Sequence, residues 1–118
     1  MADADPPAPY AATCRVTRVT RAARDIYVVE MARLDGGGFP HEAGQYARVA
    51  FDGQPERDYS LANRPSAERF EFHIRDMGSG PSNHVATALQ AGDTAHVRGP
   101  FGTTYLRARH RGPILAIG

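Results

Sequence analysis

One tetrapeptide, Arg57-Asp58-Tyr59-Ser60, combines the side chains most suited to binding a cofactor. A guanidinium can donate to two oxygens of a phosphate, an aromatic face can stack on a flat ring, and a hydroxyl can donate or accept a hydrogen bond. Because side chains alternate along a strand, Arg57 and Tyr59 should share one face while Ser60 points to the other. The tetrapeptide therefore indicates a site for a planar, phosphorylated cofactor such as a flavin.

The elements that position this tetrapeptide are predicted from hydrophobic periodicity. β-branched residues or alternation favour strands at residues 13–20, 25–34, 46–51, 57–63, 70–75 and 94–97. One helix is predicted at residues 83–90, with Ser82 as its N-cap and Gly92 near its C-terminal end. Residues 99–102 have the composition of a turn. The sequence thus predicts an all-β fold with one helix.

The two ends of the chain differ from this pattern. Residues 1–9 contain three prolines and two aspartates, which predicts a disordered tail. Residues 113–118 form an apolar run typical of a buried parallel strand, and we expect them to open an α/β domain that is missing after Gly118. The predicted division is therefore a tail at 1–9, a β-barrel domain at 10–112 and the start of a second domain at 113–118.

Composition excludes several classes of function. A net charge of +1 over 118 residues argues against nucleic-acid binding and against an anionic membrane surface. The single cysteine, Cys14, excludes an internal disulfide or a cysteine-based cluster, and the five histidines lack the close pairing of zinc ligands, so no metal site is predicted. No apolar run is long enough to span a membrane, and the acidic start is unlike a signal peptide, so we expect a cytoplasmic protein.

Taken in order, six motifs resemble those of the ferredoxin-NADP reductase superfamily over residues 10–118: Gly-Gln-Tyr at 44–46, the tetrapeptide at 57–60, His-Ile-Arg at 73–75, Ser82, Gly-Asp at 92–93 and Gly-Pro-Phe-Gly at 99–102. The last motif, followed by Tyr-Leu-Arg at 105–107, is most similar to reductase components of bacterial aromatic-ring oxygenases and phenol hydroxylases. The resemblance implies a six-stranded antiparallel Greek-key β-barrel with one helix that binds FAD or FMN. It also implies a following NAD(P)-binding domain, and an iron-sulfur or haem protein as the electron acceptor.

The resemblance also implies roles for the tetrapeptide. Arg57 would contact the flavin phosphates, Tyr59 would pack against the isoalloxazine ring, and Ser60 would hydrogen-bond near its N5 atom. No side chain is assigned the role of a catalytic acid or base. The nicotinamide site would lie in the second domain, which this chain lacks.

Two further segments complete the implied site. His73, Ile74 and Arg75 would line the cofactor mainly through backbone groups, with Arg75 adding charge. Ser82 and Gly80 would form a second phosphate-binding element at the start of the helix, where backbone amides are free donors. The family usually has glycine at position 79, and this chain has serine there.

Other interpretations of these residues stay open. Alone, the tetrapeptide also fits an ordinary strand, Ser82 fits a plain helix cap, and Arg75 fits a solvated strand face. At the level of function, a stand-alone flavin carrier would have the same barrel without a reductase half. An oligonucleotide-binding barrel would need an electropositive aromatic groove, which the near-neutral charge and scattered aromatic residues disfavour. The favoured hypothesis is the FAD-binding domain of an NAD(P)H-dependent electron-transfer oxidoreductase.

Overall fold

The computed structural model describes residues 8–35, 39–42, 44–62 and 69–102 of the chain. Most of the predicted tail at 1–9, the segment at 105–107 and the predicted second-domain strand at 113–118 lie outside the described residues.

Six strands and one helix make up the described part of the chain. They are β1 (Tyr10–Ala23), β2 (Ile26–Arg33), β3 (Tyr46–Phe51), β4 (Arg57–Ser60), β5 (Phe70–Arg75), α1 (Gly80–Thr87) and β6 (Thr94–Phe101). The order of strands in the sheet is β4-β3-β6-β1-β2-β5, and every pairing is antiparallel.

The two outer strands of this sheet meet and nearly close it into a barrel. A bridge joins Leu61 to Phe72, and the Ala62 amide donates to the Glu71 carbonyl at 2.8 Å. Strands β3, β4 and β5 are therefore consecutive neighbours, and β6 returns to lie beside β3, which is the Greek-key arrangement. The predicted six-stranded antiparallel Greek-key barrel with one helix is confirmed.

The barrel interior is filled by the apolar face of each strand. In β3 and β5 every second residue is buried, as the sequence alternation predicts. The helix contributes Val85, and Leu89 follows it into the same core. The largest side chains with almost no exposure are Phe51, Phe70, Phe72, Met31 and Ile74. This core holds the strands whose ends form the site described below.

Several strand boundaries differ from those predicted, and three of the differences bear on the site. Strand β1 begins at Tyr10 because its first residues pair with β6, and β6 continues to Phe101 in place of the turn predicted at 99–102. Gly99 pairs with Tyr10, and Phe101 pairs with Tyr46, so pairing with two neighbours overrides the turn composition. Strand β4 ends at Ser60.

The predicted start of the helix is wrong. The helix spans Gly80–Thr87, its N-cap is Ser79, and Pro81 lies in its first turn, where proline loses no helical hydrogen bond. Ser82 is therefore inside the helix and buried, and its hydroxyl accepts from the Met77 amide at 2.9 Å and donates to the Ser79 carbonyl at 3.3 Å. The hydroxyl ties the preceding loop to the helix.

Candidate functional site

A groove of about 350 Å³ lies where β4, the end of β5 and the start of α1 meet. Five of the eight predicted site residues line it: Arg57, Tyr59, Arg75, Gly80 and Ser82. They come from three separate segments of the chain. We call this the seam groove, because it borders the seam at which β4 meets β5.

Tyr59 provides an aromatic surface in the seam groove. The ring is half-buried and lies 6.3 Å from the Phe51 ring and 6.4 Å from the Phe72 ring, between centroids. Burial raises the pKa of the Tyr59 hydroxyl, against the opposing effect of the Arg57 charge, so the phenol is neutral near pH 7. A ring supported by the core on one side and open to the groove on the other can stack on a planar ligand.

Arg57 and Arg75 place two guanidinium groups at the seam groove. Arg57 is exposed, and its Nη1 donates to the Glu56 carbonyl at 3.0 Å. Arg75 is 65% exposed, and its Nε lies 3.9 Å from a carboxylate oxygen of Asp25. Neither contact saturates a guanidinium, which carries five N–H donors, so both side chains can bind an anion such as a phosphate.

The loop before α1 forms the third wall of the groove. Gly78 and Gly80 have φ angles of +88° and +66°, a region that residues with side chains rarely adopt. In the first turn of the helix the Gly80 and Ser82 amides have no acceptor within the helix, and Pro81 carries no amide hydrogen. Amides at a helix start, together with the helix dipole, favour an anionic ligand.

The other three predicted site residues, Ser60, His73 and Ile74, are not among the described residues that line the groove. Ile74 is 1% exposed and belongs to the core, so only its backbone can face a ligand. Ser60 and His73 are exposed, and the Leu61–Phe72 bridge sets them near each other at the seam. The His73 Nε2 lies 3.0 Å from a Glu71 carboxylate oxygen.

Asp76 was missed by the sequence analysis. Its Oδ1 accepts from the Gly78 amide at 2.8 Å and lies 3.5 Å from the Asn83 Nδ2, so it connects the end of β5 to both the loop and the helix. An aspartate two residues before a glycine is a turn signal that could have indicated this role. The groove is also lined by Asp58, Met77, Ser79 and Pro81, none of which the sequence analysis selected.

Among the described residues, no three metal-binding side chains are grouped closely enough to hold an ion. No helix in this part of the chain has the length and apolar character needed to cross a membrane. A second groove of about 570 Å³ lies between α1 and the β1–β2 hairpin, and none of the predicted site residues line it.

Comparison with known proteins identifies similar chains. No family model matches the sequence. The chain is 45% identical over 104 residues to the ferredoxin-NAD(P)+ reductase component of the naphthalene 1,2-dioxygenase and salicylate 5-hydroxylase systems of Ralstonia sp, covering 87% of this chain and 31% of that protein.

Two solved structures share the fold. A cytochrome P450 reductase from Amycolatopsis is 31% identical, with a TM-score of 0.72 over 87% of this chain and 32% of that one. A phthalate dioxygenase reductase is 25% identical, with a TM-score of 0.71 over 79% of this chain and 30% of that one. The chain thus spans about a third of the length of these proteins.

Proposed function

Because this chain belongs to the ferredoxin-NADP reductase superfamily, we propose that it is the FAD-binding barrel of an NAD(P)H-dependent electron-transfer oxidoreductase. The observation that carries this proposal is the seam groove, where an aromatic ring, two guanidinium groups and a helix start converge. These groups match the flat ring and the phosphates of a flavin nucleotide.

In the proposed complex the seam groove holds the phosphate end of the cofactor. Arg57 and Arg75 donate to phosphate oxygens from β4 and β5, and the Gly80 and Ser82 amides donate from the helix start. The Ser82 hydroxyl acts mainly through the loop, because it already donates to the Ser79 carbonyl.

Tyr59 would stack on the isoalloxazine ring. Ser60 would offer a hydroxyl to the ring near N5, and the backbone of His73 and Ile74 would border it from β5. When bound, the flavin takes up two electrons with a hydride and releases them singly, and the protein orients the ring and excludes water from one face. FMN would fit the same contacts, since it shares the ring and the first phosphate.

The whole protein is proposed to have further parts. Residues 1–9 are a tail, residues 10–112 are the barrel, and residues 113–118 begin an NAD(P)-binding domain that supplies the hydride. The electron acceptor is an iron-sulfur or haem protein. The Ralstonia relative, a ferredoxin-NAD(P)+ reductase component, supports this arrangement. We place the protein in the cytoplasm, where NAD(P)H is available and a single cysteine stays reduced.

The test is flavin binding by the purified chain. We expect FAD to bind with its oxidised absorption spectrum, and Arg57→Ala to weaken the affinity about 10- to 100-fold, the range for losing a charged hydrogen-bond donor. Arg15→Ala is the matched control, because Arg15 is an exposed arginine on β1 that does not line the groove. A chain that binds neither FAD nor FMN, or an equal loss in both variants, would refute the proposal.

A further inference from the structure

Asp76 connects three elements around the seam groove. Its amide donates to the Asp25 carbonyl at 2.8 Å, in the turn between β1 and β2. Its Oδ1 accepts from the Gly78 amide at 2.8 Å and faces the Asn83 side chain of α1 at 3.5 Å. The carboxylate therefore lies between the end of β5, the helix and the loop at residues 77–79, which we call the glycine loop.

The loop that follows Asp76 is held at consecutive residues. The Met77 amide is bonded to the Ser82 hydroxyl, the Gly78 amide to Asp76, and the Ser79 carbonyl to Ser82. Because the Met77 and Gly78 amides already have acceptors, they are not the amides available to a phosphate. The donors left for an anion include the Gly80 and Ser82 amides at the helix start.

Such a tether matters because Gly78 lies in the loop and Gly80 begins the helix that follows it. Fixing the backbone of a residue costs conformational entropy, and glycine loses more freedom than other residues. If the loop were free before binding, the cofactor would have to supply this free energy. A loop already fixed in its bound conformation leaves more of the contact energy as affinity.

We propose that Asp76 is a positioning residue whose carboxylate fixes the glycine loop, so that the Gly80 and Ser82 amides face the cofactor phosphate. This inference rests on the proposed flavin function. The role of Asp76 is not electrostatic, because a negative charge beside a phosphate site opposes phosphate binding. The benefit of Asp76 therefore comes from its geometry as an acceptor.

Two substitutions separate geometry from charge. Asp76→Asn keeps an oxygen that can accept from the Gly78 amide and removes the negative charge, so FMN should bind at least as tightly as to the wild type. Asp76→Ala removes the acceptor, and we expect FMN affinity to fall about 5- to 20-fold, the equivalent of about 1–2 kcal/mol of lost preorganisation. Asp52→Ala, at an exposed aspartate in the β3–β4 turn, should leave FMN affinity unchanged.

Riboflavin distinguishes positioning from general structural support. It has the flavin ring without the phosphate, so its affinity for the Asp76→Ala variant should stay within about twofold of the wild-type value if only the phosphate loop is affected. An equal loss of riboflavin and FMN affinity would overturn the inference, and so would wild-type FMN affinity in Asp76→Ala. Failure of the wild type to bind any flavin would instead refute the proposed function.

Hydrogen exchange tests the same inference without a substitution. In the wild-type chain we expect the Gly78 amide to be protected before FAD is added and to change little afterwards, because Asp76 already accepts from it. The Gly80 and Ser82 amides should gain protection on binding. A Gly78 amide that becomes protected only with FAD would overturn the inference, even if Asp76→Ala failed to fold.

Discussion

The closed wall of the barrel and its seam are built differently. The wall consists of β3, β6, β1 and β2, which are joined by antiparallel ladders of at least five residue pairs each, and in β1 and β2 it buries Cys14, Val16, Val29 and Met31 completely. At the seam, β4 has only four residues, three of them exposed, and a bridge at Leu61 joins it to β5.

The same contrast is visible in the charges. On the outer face, Arg48 donates to Asp58 and Arg98 donates to Glu56, with Nε to carboxylate distances of 2.8 Å in both pairs. Both acids flank Arg57, whose own guanidinium lines the seam groove. Arg48 and Arg98 of the wall are thus paired with carboxylates of the protein, whereas Arg57 presents its guanidinium to the groove. Stability and binding should therefore respond to different substitutions.

The largest expected effect is a loss of stability from truncating the wall. Met31→Ala removes a fully buried side chain from β2, and we expect it to lower the free energy of unfolding by about 2–5 kcal/mol. Met77→Ala is the same substitution at a 73% exposed residue of the seam, and it should change stability by less than about 0.5 kcal/mol. Denaturant unfolding measures both, and equal losses would contradict the contrast.

A smaller loss of stability is expected at alkaline pH, where the Cys14 thiol of the wall loses its proton. Burial raises the pKa of Cys14 from 9.0 to about 12, partly offset by the charge of Arg33. Because the pKa of Cys14 is higher in the folded than in the unfolded chain, the buried, protonated thiol contributes to stability. That contribution is fully present below pH 9 and is lost as the pH rises toward 12.

Cys14→Ala isolates that contribution. Between pH 8 and pH 10.5 the wild type should lose about 2 kcal/mol more stability than the variant, as expected for a pKa raised by about three units. Tyr59, whose pKa is also raised, is present in both chains, and its contribution cancels in the comparison. Identical losses in the two chains would show that the β1 thiol is not shielded from water.

The sequence predicted the regular strands and the arginine and tyrosine side chains of the groove better than it predicted the loop before the helix. Alternation in β3 and β5 marked both strands correctly, because one face of each is buried and the other is not. The order of motifs led to the barrel and to Arg57, Tyr59 and Arg75, which the fold brings to one groove. Local sequence patterns are enough to predict a strand where buried and exposed residues alternate regularly.

The loop and the helix start at the seam depend on contacts that local sequence patterns do not reveal. The helix start moved to Gly80 because Ser82 is held by the backbone of Met77 and Ser79 and is not available as a cap. Asp76 acts through hydrogen bonds to an amide two residues on and to a helix side chain, and neither produces hydrophobic periodicity. The local signal for Asp76 was turn chemistry, an aspartate two residues before a glycine, which hydrophobic periodicity does not report.

The smallest expected effect comes from replacing two glycines that have similar backbone conformations. Gly80 in the seam and Gly53 between β3 and β4 have φ angles of +66° and +81°, and a Cβ at either position would meet nothing within 4 Å. Replacing either with alanine should therefore cost only the strain of the left-handed backbone, about 1–2 kcal/mol. Thermal unfolding should detect similar losses for Gly80→Ala and Gly53→Ala.

Only the seam substitution should also affect the cofactor. If the Gly80 amide faces a phosphate, relaxing the backbone in Gly80→Ala should turn that amide away and weaken FAD binding several-fold, about 1 kcal/mol. Gly53→Ala should leave FAD affinity unchanged, because its turn does not line the groove. A similar loss of FAD affinity in both variants would mean that binding follows stability, and that the seam has no separate role.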